Sequence, residues 1–210
     1  MTLPEVITAG PAHLSTVAGL IARAFVDLPA ARWLVAERHV REQLLRAQFG
    51  IWVEHALDVG HVDLLADGSA AAVWFDRTQP IPDPPDYDNR LRVVCGRHAG
   101  RFAVLDQLFA DHQPWFPHHH LMFLAVAPEL QGTGRARAVV EPRHRILDAA
   151  GITAYLEAAT ADNTRVYRRF GYTAERPFRL PQGPPFWPMV RRPHAACRRR
   201  PAGHRLRPVS

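Results

Sequence analysis

Lysine is absent from the chain, so all 26 residues in the Lys+Arg total are arginine. A bias of this kind reports on codon usage more than on chemistry, but it does exclude the Lys-Ser/Thr pair of a nucleoside-triphosphate loop. Cysteine is scarce, with only Cys95 and Cys197, and the second lies in an Arg/Pro-rich stretch. That excludes a disulfide framework and predicts free, reduced thiols. No apolar run approaches the roughly 20 residues that span a bilayer. The opening MTLPEVITAG also lacks the basic and apolar regions of a secretory signal. A cytoplasmic protein without a membrane partner is expected. Acidic residues are missing from 193–210, which holds Arg198, Arg199, Arg200, Arg205 and Arg207; without those five the formal charge falls from +6 to +1. The basic balance therefore belongs to that segment, and a nucleic-acid partner for the body is not expected. With so few apolar residues, 193–210 is predicted to be a disordered tail on a domain spanning 1–192.

What is present reads as one mixed α/β domain. Short strands are predicted at 5–9, 61–66 and 70–76, the last two joined by Asp67-Gly68-Ser69. Helical spacing covers 11–26, 38–57, 88–96 and 99–112, with a proline-dense loop at 79–87. A strand at 119–127 is followed by a glycine-containing loop and a helix at 134–150. In that helix Val139, Ile146, Leu147 and Ala150 are expected on the buried face, and Pro142 is expected to kink it. A strand containing Tyr155-Leu156-Glu157, a helix over 162–170 capped by Asp162, and strands at 172–179 and 186–191 complete the chain.

The loop Glu129-Leu130-Gln131-Gly132-Thr133-Gly134 between a strand and a helix suits an anion. Glycines let backbone approach a ligand, and the helix start offers free N–H groups and the positive end of its dipole. Pyrophosphate is the natural guest, although a Gly-x-Gly alone is equally an ordinary strand-to-helix turn. Thirty residues on, Asn163 and Tyr167 lie four apart on one helical face before Phe170-Gly171-Tyr172.

Together these two clusters, Gln131-x-x-Gly134-x-Ala136 after a Val126-x-Pro128 strand end and the Asn163 to Tyr172 stretch, resemble the acetyl-coenzyme A motifs of the GCN5-related N-acetyltransferases. The segments AFVDLPAARWL, AAAVWF and YLEAATADNTRVYRRFGY are similar to the puromycin N-acetyltransferase-like actinobacterial subgroup. Ala136 stands where a second glycine is commoner. The resemblance implies a central, mostly antiparallel sheet of about seven strands, splayed at Val126 and flanked by helices. It implies acetyl-CoA as co-substrate and a primary amine, in this subgroup a small molecule, as acceptor. Ala125 and Val126 would pair with the pantetheine arm. Gln131, Gly132, Thr133, Gly134, Arg135 and Ala136 would hold the pyrophosphate, and Asn163 would hydrogen-bond the cofactor.

Acyl transfer needs an unprotonated amine, a stabilised oxyanion and a proton for the departing thiolate. Tyr167 suits the last role; the plain alternative is an aromatic packed into the core. Glu157, or His118 by the subgroup's pattern, would take the amine proton. Three consecutive histidines, His118 to His120, invite a metal, but alternation sends neighbours to opposite faces, and no metal is expected. Phe25, Asp27 and Trp33 are placed near the acceptor, with Phe25 and Trp33 serving equally well as core. A non-catalytic acetyl-CoA-binding module and a protein or peptide acetyltransferase are the alternative functions. The oligomeric state is not legible.

Overall fold

The computed structural model describes residues 3–194. The stretch from residue 195 onward, including Cys197 and the arginine cluster, lies outside the described residues; Cys95 is a free, buried thiol. The strands are β1 (Val6–Thr8), β2 (His61–Leu65), β3 (Ala70–Asp76), β4 (His118–Val126), β5 (Thr153–Ala158), β6 (Thr173–Ala174), β7 (Phe178–Arg179) and β8 (Pro185–Arg191). The helices are α1 (Leu14–Phe25), α2 (Pro29–Leu34), α3 (Arg38–Val59), α4 (Tyr87–Cys95), α5 (Ala99–Asp111), α6 (Arg135–Ala150) and α7 (Ala161–Arg168). The sheet order is β1-β2-β3-β4-β5-β8-β6, with β7 on β8. Every strand pair is antiparallel except β4 with β5.

Both faces of the sheet are covered, which explains the unbroken apolar run of β3. Alternation sends Ala71, Val73 and Phe75 towards α1 and α3, where they meet Leu20, Ile21, Phe49 and Trp52. Ala70, Ala72 and Trp74 face α6, against Val139, Val140 and Leu147. The β2–β3 hairpin turns at Asp67-Gly68-Ser69. Gly68 takes a φ of 71°, and the Asp67 carboxylate accepts from the Ser69 N–H at 3.0 Å.

Several local expectations need correction. The buried stripe of α6 is Val139, Val140, His144 and Leu147. Ile146 is 55% exposed and Ala150 is exposed as well, while His144 Nε2 lies 3.0 Å from the Tyr172 hydroxyl. Helix α7 is capped by Thr160, whose hydroxyl accepts from the Asn163 N–H at 3.0 Å; Asp162 already lies within the first turn. Helix α2 has only six residues, too short for periodicity to reveal, and begins with Pro29 at its first turn. The strand expected at 172–179 is two separate two-residue strands, giving eight strands in place of seven.

The feature that positions the site is the parting of β4 and β5. They pair only through His118↔Thr153, His119↔Ala154 and His120↔Tyr155. Beyond that, β5 stays with β8, while β4 continues along β3. The opening therefore begins after His120, six residues earlier than the expected Val126. Its physical cause is an irregularity opposite Val73/Trp74, where the register passes from Phe123 to Leu121 and leaves Met122 extra; such a bulge bends and twists its strand.

Candidate active site

At the open end of β4 the backbone alternates in a defined sense. The Ala127 N–H donates to the Ser69 carbonyl at 2.8 Å, and Ala70 lies opposite Val126. In an antiparallel ladder this turns Ala125 towards β3 and leaves the N–H and C=O of Leu124 and Val126 pointing into the opening. Of the two residues expected to pair with a pantetheine arm, Val126 is so disposed. Ala125 is not, because β3 uses its polar groups; Leu124 shares the orientation of Val126.

The loop that follows folds on itself: the Leu130 N–H donates to the Ala127 carbonyl at 2.8 Å. Gly132 and Gly134 take φ of 77° and 89°, where any other residue is strained. A Cβ added at Gly132 would meet no atom of the described residues within 4 Å, so the space in front of it is open among them. The first helical bond of α6 runs from the Ala138 N–H to the Gly134 carbonyl at 3.0 Å. The N–H groups of Arg135, Ala136 and Arg137 are thus free of intrahelical partners, as an anion requires.

The arginines of this loop do different work. Arg135 is buried, and its guanidinium donates to Ser69 Oγ at 2.9 Å and to Thr133 Oγ1 at 3.0 Å, with Asp67 at 3.6 Å. It clamps the loop to the β2–β3 turn. The Ser69 hydroxyl and N–H, with Arg135, hold the Asp67 carboxyl below its usual range. Arg137 is exposed, donates to the Arg169 carbonyl at 2.7 Å and lies over the Phe170 ring at 5.3 Å.

A cleft of about 480 Å³ runs between this strand end and α7. Leu124 and Val126 line one side and Asn163 and Tyr167 the other, with Gly132 and Gly134 at one end and Phe25 and Leu28 above. The Tyr167 ring packs edge-on to Phe170 and Tyr172, at 6.3 and 5.9 Å. Burial raises its phenol above the ordinary 10, so it keeps its proton at neutral pH.

On the sheet face opposite α6, His118, His120, Tyr155 and Glu157 come together. His120 Nε2 is 2.8 Å from Glu157 Oε2, and both side chains are about nineteen-twentieths buried. The Gln113 amide donates to the other Glu157 oxygen at 3.4 Å. His118 Nδ1 is 2.8 Å from the Phe116 carbonyl oxygen. The Tyr155 ring lies 5.3 Å from His118 and 5.4 Å from His120. Alternation puts His118 with His120 on one face of β4 and Tyr155 with Glu157 on one face of β5, and strand register brings the two pairs together. The sequence could not tell which histidine met the carboxylate. Among the described residues no group of three or more His, Cys, Asp or Glu is arranged to hold a metal.

Of the three residues expected near an acceptor, only Phe25 lines the cleft, packed edge-on against Phe49 and Phe123 at 5.7 and 6.2 Å. Asp27 is exposed among Arg38, Arg41 and Arg32, at 3.4, 3.8 and 3.9 Å, and its charge is answered there. Trp33 donates its indole N–H to the Pro181 carbonyl at 3.1 Å and stacks under Arg101 at 5.4 Å. It therefore fastens α2 to the β7–β8 turn.

No protein-family model matches the chain. An uncharacterized N-acetyltransferase of Schizosaccharomyces pombe is 30% identical over 86 residues, a match spanning 40% of this chain and about a third (33%) of that protein. The crystal structure described as histone acetyltransferase HPA2 and related acetyltransferase, from Corynebacterium glutamicum, superimposes with a TM-score of 0.68 and 24% identity, covering 93% of this chain and 99% of its own. Arylalkylamine N-acetyltransferase 2 of Aedes aegypti superimposes with a TM-score of 0.56 and 13% identity, covering 90% and 99%. The mixed sheet and its flanking helices are thus the fold of GCN5-related N-acetyltransferases. Among the described residues no helix is long and apolar enough to cross a membrane.

Proposed function

We propose that the chain is an acetyl-CoA-dependent N-acetyltransferase that acetylates the primary amine of a small molecule by direct attack on the thioester. The observation that carries this reading is the unpaired edge of β4 from Leu121 to Val126, which opens onto a helix start with free N–H groups. An extended pantetheine arm offers amides to complete such an edge, and the Gly132 and Gly134 backbone with the α6 terminus suits its pyrophosphate.

In this reading the Val126 N–H polarises the thioester carbonyl and stabilises the oxyanion, a contribution of about 3 kcal/mol for one well-placed donor. Tyr167 supplies a proton to the departing thiolate, worth about a hundred- to ten-thousandfold in rate. The proton lost by the amine leaves on the His120 and Glu157 side of the sheet. Phe25 and Leu28 offer an apolar cover to the organic part of a small amine, and the likeness to an arylalkylamine enzyme supports that class. The decisive experiment is calorimetry with acetyl-CoA, followed by thiol release with aryl amines, polyamines, amino-nucleosides and lysine peptides. Absence of acetyl-CoA binding overturns the reading, and a clear preference for peptides overturns the small-molecule part.

A further inference from the structure

Neighbouring antiparallel strands need only a two-residue turn between them. Residues 77–117 nevertheless separate β3 from β4 and carry α4 and α5. This detour is anchored twice. Near its start the Tyr87 hydroxyl accepts from the indole N–H of Trp52 on α3 at 3.1 Å and donates to Asp106 on α5 at 2.7 Å. At its far end Phe109 of α5 meets the Phe178 and Phe186 rings at 6.0 and 4.9 Å, and His112 stacks on Phe178 at 4.0 Å.

The second anchor borders the opening of the sheet. Pro188 opposes Glu157, so Phe186, two residues before it, shares the face of Glu157 and lies on the side away from α6. There Ala30 of α2, Leu108 of α5, and Leu180 and Phe186 of the β7–β8 hairpin share a small core apart from the two larger ones. Its parts come from both banks of the opening. The end of α1 packs on β4 through Phe25 and Phe123, 6.2 Å between rings, and α2 follows directly, whereas β7 and β8 belong to β5. Trp33 of α2 joins the banks. Its indole N–H donates to the Pro181 carbonyl at 3.1 Å, its own carbonyl accepts from Arg101 of α5, and the Arg101 guanidinium lies 5.4 Å from its ring centre. A Cβ at Gly183 would stand 2.8 Å from Trp33 Cδ1, so glycine is what lets the turn close on the indole.

Resting on the acetyltransferase reading above, we propose that this bridge sets the size of the acceptor: α2, α5 and the β7–β8 turn, fastened together at Trp33, pass a compact amine and stop an amine carried by a peptide. In that reading the cofactor lies along the side of the opening lined by Asn163 and Tyr167, so the acceptor arrives from the other face, where the bridge stands. An arylalkylamine enters end-on, with nothing beyond its ring. A lysine in a peptide brings main chain in both directions from its Cα, and that main chain meets the bridge. A peptide therefore reacts only in molecules whose bridge is undone, and its rate follows the fraction of such molecules. Trp33 is a positioning residue here and touches no reacting atom; Arg101 and Gly183 act through it.

The test measures kcat/KM for phenethylamine and for a lysine peptide with blocked ends, by thiol release from acetyl-CoA, in the native chain and in Trp33→Phe, Gly183→Ala and Arg101→Gln. The native chain should favour phenethylamine by about tenfold or more. Trp33→Phe removes the bond to Pro181, Gly183→Ala wedges the indole away from the turn, and Arg101→Gln removes the cation over the ring. Each should raise the ratio of peptide to phenethylamine by about fivefold or more, through a lower KM for the peptide. Acetyl-CoA affinity by calorimetry should stay within about threefold. A residue that serves stability alone would lower the melting temperature and leave the ratio where it was; that result in the folded variants overturns the proposal. A native chain that takes the peptide as readily as phenethylamine overturns it as well. If Trp33→Phe does not fold, Gly183→Ala and Arg101→Gln decide by the same ratio. If the native chain acetylates no amine, the acetyltransferase reading itself has failed and the proposal falls with it. Turnover with an unmoved ratio defeats the proposal alone.

Discussion

Arg135 and Ser69, 66 positions apart in sequence, meet through a hydrogen bond of 2.9 Å from Nε to Oγ, and this bond ties the anion loop to the β2–β3 turn. Arg135→Ala removes buried, charge-assisted bonds to Ser69 and Thr133. A loss of about 1–3 kcal/mol is expected. Chemical denaturation should show that loss, and calorimetry should show weaker acetyl-CoA binding. Retention of both would mean that the loop holds its shape without the clamp.

Gly134 caps α6 at a φ of 89°, and among the described residues only Leu3 comes within 4 Å of a methyl group placed there. Gly134→Ala should therefore cost about 1–2 kcal/mol through backbone strain, without a clash. Gly134→Glu adds a carboxylate at the proposed phosphate site and should lower acetyl-CoA affinity by more than tenfold beyond the Ala variant. Equal affinities for the two variants would remove the pyrophosphate from this loop.

Tyr167→Phe is expected to lower kcat by about a hundredfold or more with little change in acetyl-CoA dissociation constant, since only the hydroxyl is lost. Because burial raises the Tyr167 phenol above the ordinary 10, it should contribute no alkaline limb below about pH 10. Steady-state kinetics with the better amine substrate checks both. An unchanged kcat would assign Tyr167 to packing.

Stability should fall on acidification below about pH 6.5. Burial lowers His144 from the ordinary 6.5 to about 3 and His118 to about 4. Between those values and 6.5 the unfolded chain takes up protons that the native chain refuses, so unfolding is favoured as pH falls. Asp106 opposes this: burial raises it to about 6, so the native chain holds a proton there that the unfolded chain has lost above the ordinary 3.8. Two histidines against one carboxyl leave a net slope of about 1 kcal/mol per pH unit between pH 4 and 6. Denaturation at pH 7, 6 and 5 measures it. His144→Gln should flatten the slope and Asp106→Asn steepen it; rising stability on acidification would refute the assignment.

Much of the frame was legible because its signals are local. Short apolar stretches at 61–66 and 70–76 around the turn chemistry of Asp67-Gly68-Ser69 marked a hairpin, and Gly132 and Gly134 before a helical pattern marked an anion loop. Asn163 and Tyr167, four apart, do face one cleft. Each of these depends on a few neighbouring residues, through φ preference, turn chemistry or helical period.

Tertiary structure decided what depends on partners far along the chain. The opening starts after His120 because β5 keeps β8 while β4 is bent by a bulge against β3, a competition among three strands that no short segment records. His120 and Glu157 are 37 residues apart, and which histidine receives the carboxylate follows from strand register. Three arginines from α2 and α3 surround Asp27, and the Pro181 carbonyl engages Trp33, partners that lie near or far along the chain and that no short segment announces. Charge and aromatic character could be read from the sequence. Which neighbour satisfies each group is fixed only when the chain closes, because a buried polar group takes whichever partner the packing brings within hydrogen-bonding distance.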